Sequence, residues 1–317
     1  MVTSLRPDPT ADRQWPMDRP TDEPKHPWPA GTTIVSADSH FLEPESWIDY
    51  LPANYHDRAP RGWWDDTGYH MTADGKSLDN PGFPSRLIEG RPGMWDAALR
   101  IADMDAEGVD KDVLFPQRTL GIIRNEDRDF VAACFNAYNQ IVMDYCRPFG
   151  DRLFPVGLLN YWDETAVRES GAQLKELGFK AMMMPSLPPG GVYYNSRKLD
   201  GMWDAVEDIG LPLSFHVGET FDARGLGGLA TTIVVAFGGY RRLWSLLTFS
   251  GILERHPSLR IVFTEGGISW VAPALYEADK IYTAFKSEMN PKLAHPPSHY
   301  WFENCYATFM DDPVGLR

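Results

Sequence analysis

The chain has 317 residues, of which 43% are apolar and 23% are charged, so it can bury the core of one large α/β barrel or of two smaller domains. This composition excludes an intrinsically disordered or fibrous protein. The formal net charge of -14, without a Lys- or Arg-rich run, argues against nucleic acid as a partner and favours a small molecule.

The N-terminal segment, residues 1–31, is predicted to be a proline-rich extended arm. It has no apolar stretch and so does not resemble a signal peptide, and no later run reaches the roughly 20 apolar residues of a membrane span. Trp15 and Trp28 would be unusual in a fully solvated tail, so we expect the arm to lie on a neighbouring subunit of a homo-oligomer, a dimer.

The cysteines are odd in number and widely spaced: Cys134, Cys146 and Cys305. This pattern fits reduced thiols better than a disulfide framework or a thiolate zinc site. We therefore expect a cytoplasmic protein that binds no membrane.

From residue 32 onward, short β-type apolar runs alternate with longer stretches of helical spacing. The predicted strands are 32–38, 112–116, 153–159, 180–184, 211–216, 259–264 and 302–309, and one of the predicted helices covers 240–255. Residues 43–92 break this rhythm with Trp, Gly and Pro and predict an inserted lobe over the mouth of a barrel.

The repeated βα order predicts a parallel sheet covered by helices, either a closed TIM-like (β/α)8 barrel or an open doubly wound sheet. No glycine-rich dinucleotide fingerprint follows the first strand, which favours the barrel. Seven strands are predicted within 32–317, and an eighth is expected beyond Arg317. We therefore expect this stretch to hold an incomplete barrel.

Two candidate metal ligands lie near the end of the first predicted strand. Residues two apart in a strand point the same way, so Asp38 and His40 can offer an oxygen and a nitrogen to one point. His216 ends the fifth predicted strand, which stands across a closed barrel from the first, at the edge where barrel active sites lie. These positions predict three ligands to one cation.

Glu265 follows the sixth predicted strand and precedes Gly266 and Gly267. Its carboxylate is a candidate fourth metal ligand or proton-transfer group, and helix capping or pairing with an Arg is the structural alternative. Imidazole and carboxylate donors without thiolates suit a catalytic divalent ion. We expect zinc, with manganese or iron as alternatives, in one or two copies.

Several other residues on the predicted active face could contact a substrate. Arg118, Arg124 and Asn160 lie just beyond the second and third predicted strands, where an Arg could bind a carboxylate through two hydrogen bonds. An aromatic-rich lobe containing Trp63 could cover a ring-containing substrate. Surface solvation is the favoured interpretation of the three polar residues, and ordinary packing explains the aromatic lobe equally well.

Several motifs resemble those of amidohydrolase-related proteins, the group that includes aminocarboxymuconate semialdehyde decarboxylase. They are Ile34–Pro44, Ala102–Asp110, Phe215–Gly218, Leu253–Pro257 and Glu265–Gly267. The resemblance covers roughly residues 32–317. It implies a TIM-like barrel with a metal held by the first-strand pair, the fifth-strand His and an Asp of an eighth strand, whose motif neither Asp311 nor Asp312 matches.

This chain departs from the better-known decarboxylases of that group at two positions. Asp38 stands where the first ligand is usually His or Glu, and Glu265 stands where the sixth strand usually supplies His. The expected activity is hydrolysis of a small carbonyl- or carboxylate-containing compound, with aromatic compounds among the candidates, by metal-activated water. The alternatives are metal-dependent nonoxidative decarboxylation and a noncatalytic partner subunit.

Overall fold

A computed structural model of the chain describes residues 29–65, 68–77, 92–189, 193–218 and 225–317. Nearly all of the predicted arm, including Trp15 and Trp28, lies outside these residues, as does part of the predicted lobe. Within the described ranges, no helix is long and apolar enough to cross a bilayer.

The described residues form a parallel sheet and a small antiparallel sheet. The strands are β1 (Val35–Phe41), β2 (Arg61–Asp65), β3 (Gly68–Ala73), β4 (Lys76–Ser77), β5 (Lys111–Pro116), β6 (Leu153–Leu158), β7 (Ala181–Met183), β8 (Leu213–His216), β9 (Ile261–Thr264) and β10 (Cys305–Ala307).

The α-helices of the described ranges lie between the strands of the parallel sheet along the chain. They are α1 (Ala97–Glu107), α2 (Arg128–Cys146), α3 (Glu164–Leu177), α4 (Asp200–Ile209), α5 (Gly228–Ala236), α6 (Tyr240–Phe249), α7 (Ile252–Arg255), α8 (Val271–Phe285) and α9 (Pro297–Asn304). Asp127 and Asp163 begin α2 and α3 by accepting a backbone N–H of the first turn, and left-handed Gly178 ends α3, as capping chemistry requires.

The large sheet has the order β1-β5-β6-β7-β8-β9-β10, and all of its pairs are parallel. It is strongly curled, because side chains of β1 and β8 meet although three strands separate them in the hydrogen-bonded order. The predicted TIM-like α/β fold with seven visible strands is confirmed. The curl brings the carboxyl ends of distant strands to one place.

An aromatic layer fills the space between the sheet and its covering helices. Phe263 of β9 stacks on Trp301 of α9 with ring centroids 5.8 Å apart, and Phe215 of β8 stacks on Phe263 at 6.3 Å. Phe215 and Phe263 are fully buried, and burying each ring stabilises the fold by about 1.5–3 kcal/mol. This packing fixes the strands that carry the site.

Several predicted boundaries were wrong. The predicted strand 302–309 is reduced to β10, because Pro297 occupies the first position of α9 and the helix continues through Asn304. The predicted helix 240–255 is split by Gly251, whose φ of 73° stops α6 and begins α7. The first strand begins at Val35 and extends to Phe41, so Asp38 and His40 lie inside it.

The antiparallel sheet, in the order β2-β3-β4, lies in the segment predicted to be an inserted lobe. Arg58 attaches this region to α2, since its guanidinium donates to Asp74 at 2.6 Å and to the helix-capping Asp127 at 2.7 Å. The division into arm, lobe and barrel stays a prediction. The three cysteines are buried and free.

Candidate metal centre

Asp38 and His40 face the interior of the curled sheet because β1 contains a bulge. Ser36 pairs with Asp112 of β5, whereas Ser39 pairs with Leu114, so three steps along β1 match two steps along β5. Such an extra residue moves the following side chains to the opposite face. The bulge therefore directs Asp38 inward.

His216, the last residue of β8, completes a compact group with the β1 pair. Its Nε2 lies 3.2 Å from Oδ1 of Asp38, and Nε2 of His40 lies 3.9 Å from the same oxygen. One ligand atom from each of the three residues lies within 4.8 Å of the others, which is close enough to hold one metal ion. His216 is almost fully buried, whereas His40 and Asp38 retain some solvent contact.

Backbone carbonyls orient both imidazoles. Nδ1 of His40 donates to the carbonyl oxygen of Pro116 at 3.0 Å, and Nδ1 of His216 donates to that of Val217 at 2.7 Å. Each ring therefore directs its Nε2 toward Asp38. Metal-binding histidines characteristically use their second nitrogen in this way, which fixes both the tautomer and the direction of the ligand atom.

The two imidazoles have opposite pKa shifts. Burial, followed by repulsion from His216, lowers the pKa of His40 to about 4. Burial also disfavours the charged form of His216, but its hydrogen bond to Asp38 and the nearby carboxylates outweigh that effect and raise its pKa. His40 is therefore a neutral nitrogen donor across the physiological pH range.

Glu265 stands next to this group in an unusual backbone conformation. Its Oε2 lies 3.7 Å from Nε2 of His216, and its φ of 63° places a non-glycine residue in the left-handed region, at a typical cost of about 1–3 kcal/mol. Burial raises the pKa of the Glu265 carboxyl. Such strained residues cluster at functional sites.

Residues after β10 hold the backbone at and beyond Glu265. The hydroxyl of Thr308 accepts the Glu265 N–H at 2.8 Å. Oδ2 of Asp312 accepts the backbone N–H groups of Ile268 and Ser269, each at 2.7 Å. Asp312 therefore has a structural role in supporting this turn.

The donor set of the group matches a divalent transition metal. The donors are two imidazole nitrogens and one or two carboxylate oxygens, with no thiolate among them. This set suits manganese, iron or zinc. The structure thus brings together all four residues that the sequence nominates, although Glu265 lies at the margin of the three-residue group.

The other candidate contact residues lie elsewhere on this edge of the sheet. Arg118 is buried, and its backbone N–H donates to the buried carboxylate of Glu43 at 2.7 Å. Arg124 donates to the carbonyl of Leu187. Asn160 is half-buried, and its Oδ1 is enclosed without a hydrogen-bond partner in the described part of the chain.

A cavity of about 380 Å³ opens beside His216, within the size range of small-molecule sites. Its lining is mainly apolar and includes Val217, Leu243 and Leu246. Arg242 of α6 is the one Lys or Arg among the described lining residues. Sequence reasoning missed Arg242, because only the tertiary fold shows which residue of an amphipathic helix borders a cavity.

Arg100 and Asp112 are two further residues near the site that were not singled out from the sequence. Their side chains form a buried ion pair at 2.7 Å behind β1. The available signal was an Arg on the otherwise apolar face of the predicted helix before the second strand. A charged residue on such a face requires a buried partner.

Solved structures with this fold include an amidohydrolase from Mycobacterium avium subsp. paratuberculosis K-10, at 15% identity and a TM-score of 0.71, covering 88% of this chain and 84% of that one. Another is a dihydroxybenzoic acid decarboxylase from Polaromonas sp. JS666 with bound manganese and 2-nitroresorcinol, at 16% identity and a TM-score of 0.60, covering 87% and 78%.

A third is a 5-carboxyvanillate decarboxylase from Novosphingobium aromaticivorans DSM 12444, complexed with manganese and 4-hydroxy-3-methoxy-5-nitrobenzoic acid. It is 24% identical, has a TM-score of 0.63, and covers 88% of this chain and 79% of that one. At these identities the likeness shows the fold. No curated protein matches the chain.

A family model described as amidohydrolase matches residues 22–313. The match spans the curled parallel sheet and includes Asp38, His40, His216 and Glu265. The resemblance carried by the sequence motifs is thereby confirmed, and the chain belongs to the amidohydrolase family.

Proposed function

We propose that the protein is a metal-dependent decarboxylase that removes a carboxyl group from a small hydroxylated aromatic acid. The observation that carries the proposal is the convergence of Asp38 and His40, inside β1, with His216 at the end of β8. Two similar structures that contain manganese are decarboxylases of aromatic acids, which favours this activity over the hydrolysis expected from the sequence.

Asp38, His40 and His216 would hold the ion, and Glu265 would supply either a further ligand or a proton. Manganese is the ion we propose in place of the expected zinc, because it accompanies both decarboxylases and accepts carboxylate oxygen ligands such as Asp38. The bound ion would supply Lewis-acid polarisation of the substrate oxygens.

The reaction requires a proton at the ring carbon that loses the carboxylate. The bond from that carbon to the carboxyl carbon breaks, its electron pair takes the proton, and carbon dioxide leaves. Glu265 can carry this proton, since its carboxyl is mostly enclosed and lies beside His216. General acid catalysis of this kind contributes about 10²- to 10⁴-fold to a rate.

The cavity next to His216 supplies a place for an aromatic ring. Apolar side chains can bury the ring faces, and Arg242 can pair with an anionic substituent remote from the reacting carboxylate. This attraction matters in a chain whose net charge is -14, because the overall field repels an anionic substrate.

The deciding experiment is a carbon dioxide release assay on manganese-loaded protein, with a panel of mono- and dicarboxylated hydroxybenzoates. We expect carbon dioxide and the matching phenol in equal amounts from at least one acid, and no release after treatment with a chelator. Absence of release across the panel, with manganese bound, contradicts the proposal.

Hydrolysis by metal-activated water is the second candidate. The observation in its favour is the adjacent Glu265 carboxylate, which could accept a proton from attacking water. Hydrolysis products from an ester and amide panel, without carbon dioxide, would establish it in place of decarboxylation. Turnover of either kind rules out the alternative that the protein is a noncatalytic partner subunit. Light scattering separately tests whether the protein is the predicted dimer.

A further inference from the structure

We propose that Arg100 is a positioning residue that fixes the β1 bulge and thereby aligns Asp38 and His40 for metal binding. This inference rests on the proposed metal site and identifies what holds that site in shape. Its basis is the hydrogen-bond pattern of one buried guanidinium.

The bulge decides which face of β1 each side chain occupies. Asp112 points to the outer layer, where its carboxylate meets Arg100 of α1, and Ser36 is its register partner. In a regular strand, Asp38 and His40 would share the face of Ser36 and point outward. The extra residue between Ser36 and Ser39 is therefore a condition for the metal group to exist.

Arg100 donates hydrogen bonds to β1 and β5 on both sides of this bulge. Its Nη1 donates to Asp112 at 2.7 Å, at the register position before the bulge, and to the Ser39 hydroxyl at 2.6 Å, just after it. Its Nη2 donates to the carbonyl oxygen of His40. The planar, rigid guanidinium holds these acceptors in one fixed arrangement, which a Lys ammonium cannot reproduce.

Gly93 and Tyr145 hold the guanidinium in place on the side away from β1. Its Nε donates to the carbonyl oxygen of Gly93 at 2.8 Å and lies 2.9 Å from the hydroxyl of Tyr145, which donates to the same carbonyl at 2.5 Å. A Cβ on Gly93 would lie 2.9 Å from the Arg100 Cα, so the close approach requires glycine. Arg100 is thus immobilised at one end and attached to β1 at the other.

The ion pair is better explained by specificity than by stability. Arg100 and Asp112 are 7% and 3% exposed, and Oδ1 of Asp112 is enclosed without a hydrogen-bond partner in the described ranges. Taking both charges out of water costs nearly as much as their attraction returns, and apolar replacements of such pairs are often neutral or stabilising. A role in setting the register of β1 explains why a buried ion pair is present here.

The test replaces the whole pair, because removing Arg100 alone would leave an unpaired buried carboxylate. The full chain carrying Arg100→Met and Asp112→Leu is compared with the parent and with Arg100→Lys. We expect the double variant to keep its cooperative unfolding and to bind manganese about 10- to 100-fold more weakly, the usual effect of losing a group that orients metal ligands. Arg100→Lys should also bind manganese more weakly than the parent does.

Arg152→Met is the matched control. Arg152 also makes three contacts, to Asp105, Val109 and Asp110, but these residues lie in α1 and in the loop before β5, and none of them belongs to β1. Its loss should leave manganese affinity unchanged.

A metal-free measurement separates this inference from the proposed function. In the apo protein, the NMR signals of the His40 and His216 ring protons report whether β1 keeps its register. We expect both signals to move in the double variant and to stay in place in Arg152→Met. Unmoved signals in a folded double variant overturn the role of Arg100, whereas a parent chain that binds no manganese overturns the metal site.

Discussion

Nε2 of His216 lies 3.2 Å from Oδ1 of Asp38, although the two residues are 178 positions apart in the chain. This contact closes the curled sheet across its interior and defines the point where a cation would sit. It also makes the site sensitive to both strands, since a shift of either β1 or β8 separates the ligand atoms.

Substitution of Asp38 and His216 together by Ala should abolish stoichiometric manganese binding, because at most His40 and Glu265 remain to hold the ion. Elemental analysis and calorimetric titration measure the loss. His299→Ala is the control, since His299 is exposed on α9 and pairs with His295. Full metal occupancy in the double variant would show that the ion binds elsewhere.

Glu265→Gln should separate the two roles proposed for Glu265. If the carboxyl delivers the proton, carbon dioxide release falls about 10²- to 10⁴-fold while manganese affinity is retained. If it is a ligand, the affinity falls as well. Titration with manganese beside a turnover assay distinguishes these results, and unchanged turnover would exclude both roles.

Glu265→Gly should make the apo protein more stable while abolishing turnover. Glycine adopts a φ of 63° without the steric cost that Glu265 bears. Loss of the carboxylate removes its attraction to His216 together with its weaker repulsion from Asp38, so the backbone effect should decide the sign. We expect a net gain of about 1 kcal/mol. Urea unfolding in the presence of a chelator measures it, and a lower midpoint would mean that the side chain stabilises the fold.

Arg242→Met should raise the KM for acids with a second anionic group about tenfold or more, the equivalent of one charge-assisted contact. The KM for acids with one carboxylate should change little. Arg241→Met is the neighbouring control, because Arg241 forms an exposed ion pair with Glu277. An equal effect of both variants would point to the general charge of α6 instead of a specific contact.

The contribution of Arg58 to stability should decrease at acid pH. Hydrogen bonds from Arg58 lower the pKa of both Asp74 and Asp127. The stabilisation is therefore complete above the unfolded-state pKa of a carboxyl, near 4, and is lost as the pH falls through the lower folded-state values.

Arg58→Met should accordingly cost on the order of 1 kcal/mol at pH 7 and progressively less below pH 4. Chemical unfolding of the variant and the parent at several pH values gives this difference. A cost that does not change with pH would assign the effect to packing of Arg58 on the Phe130 ring and not to charge.

The sequence predicts the βα alternation and the convergence of Asp38, His40 and His216, because strand positions follow from hydrophobic periodicity and barrel geometry. It does not predict the β1 bulge, since one extra residue in a short strand leaves the composition unchanged. The partners of Arg100 were also hidden, because Ser39 lies 61 positions away.

The backbone conformation of Glu265 is another feature that the sequence does not predict. The following Gly266 and Gly267 indicate a tight turn, and residue preferences place the left-handed conformation on a glycine. In the structure, Gly267 has a φ of 71°, but Glu265 adopts the left-handed region as well. The tertiary hydrogen bond from its N–H to Thr308 helps to hold this conformation, and local propensity cannot anticipate it.

The support of the Glu265 turn by Thr308 and Asp312 has a consequence for engineering. The segment that bears the Glu265 carboxylate and the segment that holds its backbone are separate in sequence but are joined by hydrogen bonds. A chimaera that exchanges residues 264–270 alone would place Glu265 on a foreign support, whereas exchange together with residues 305–316 would carry its geometry intact.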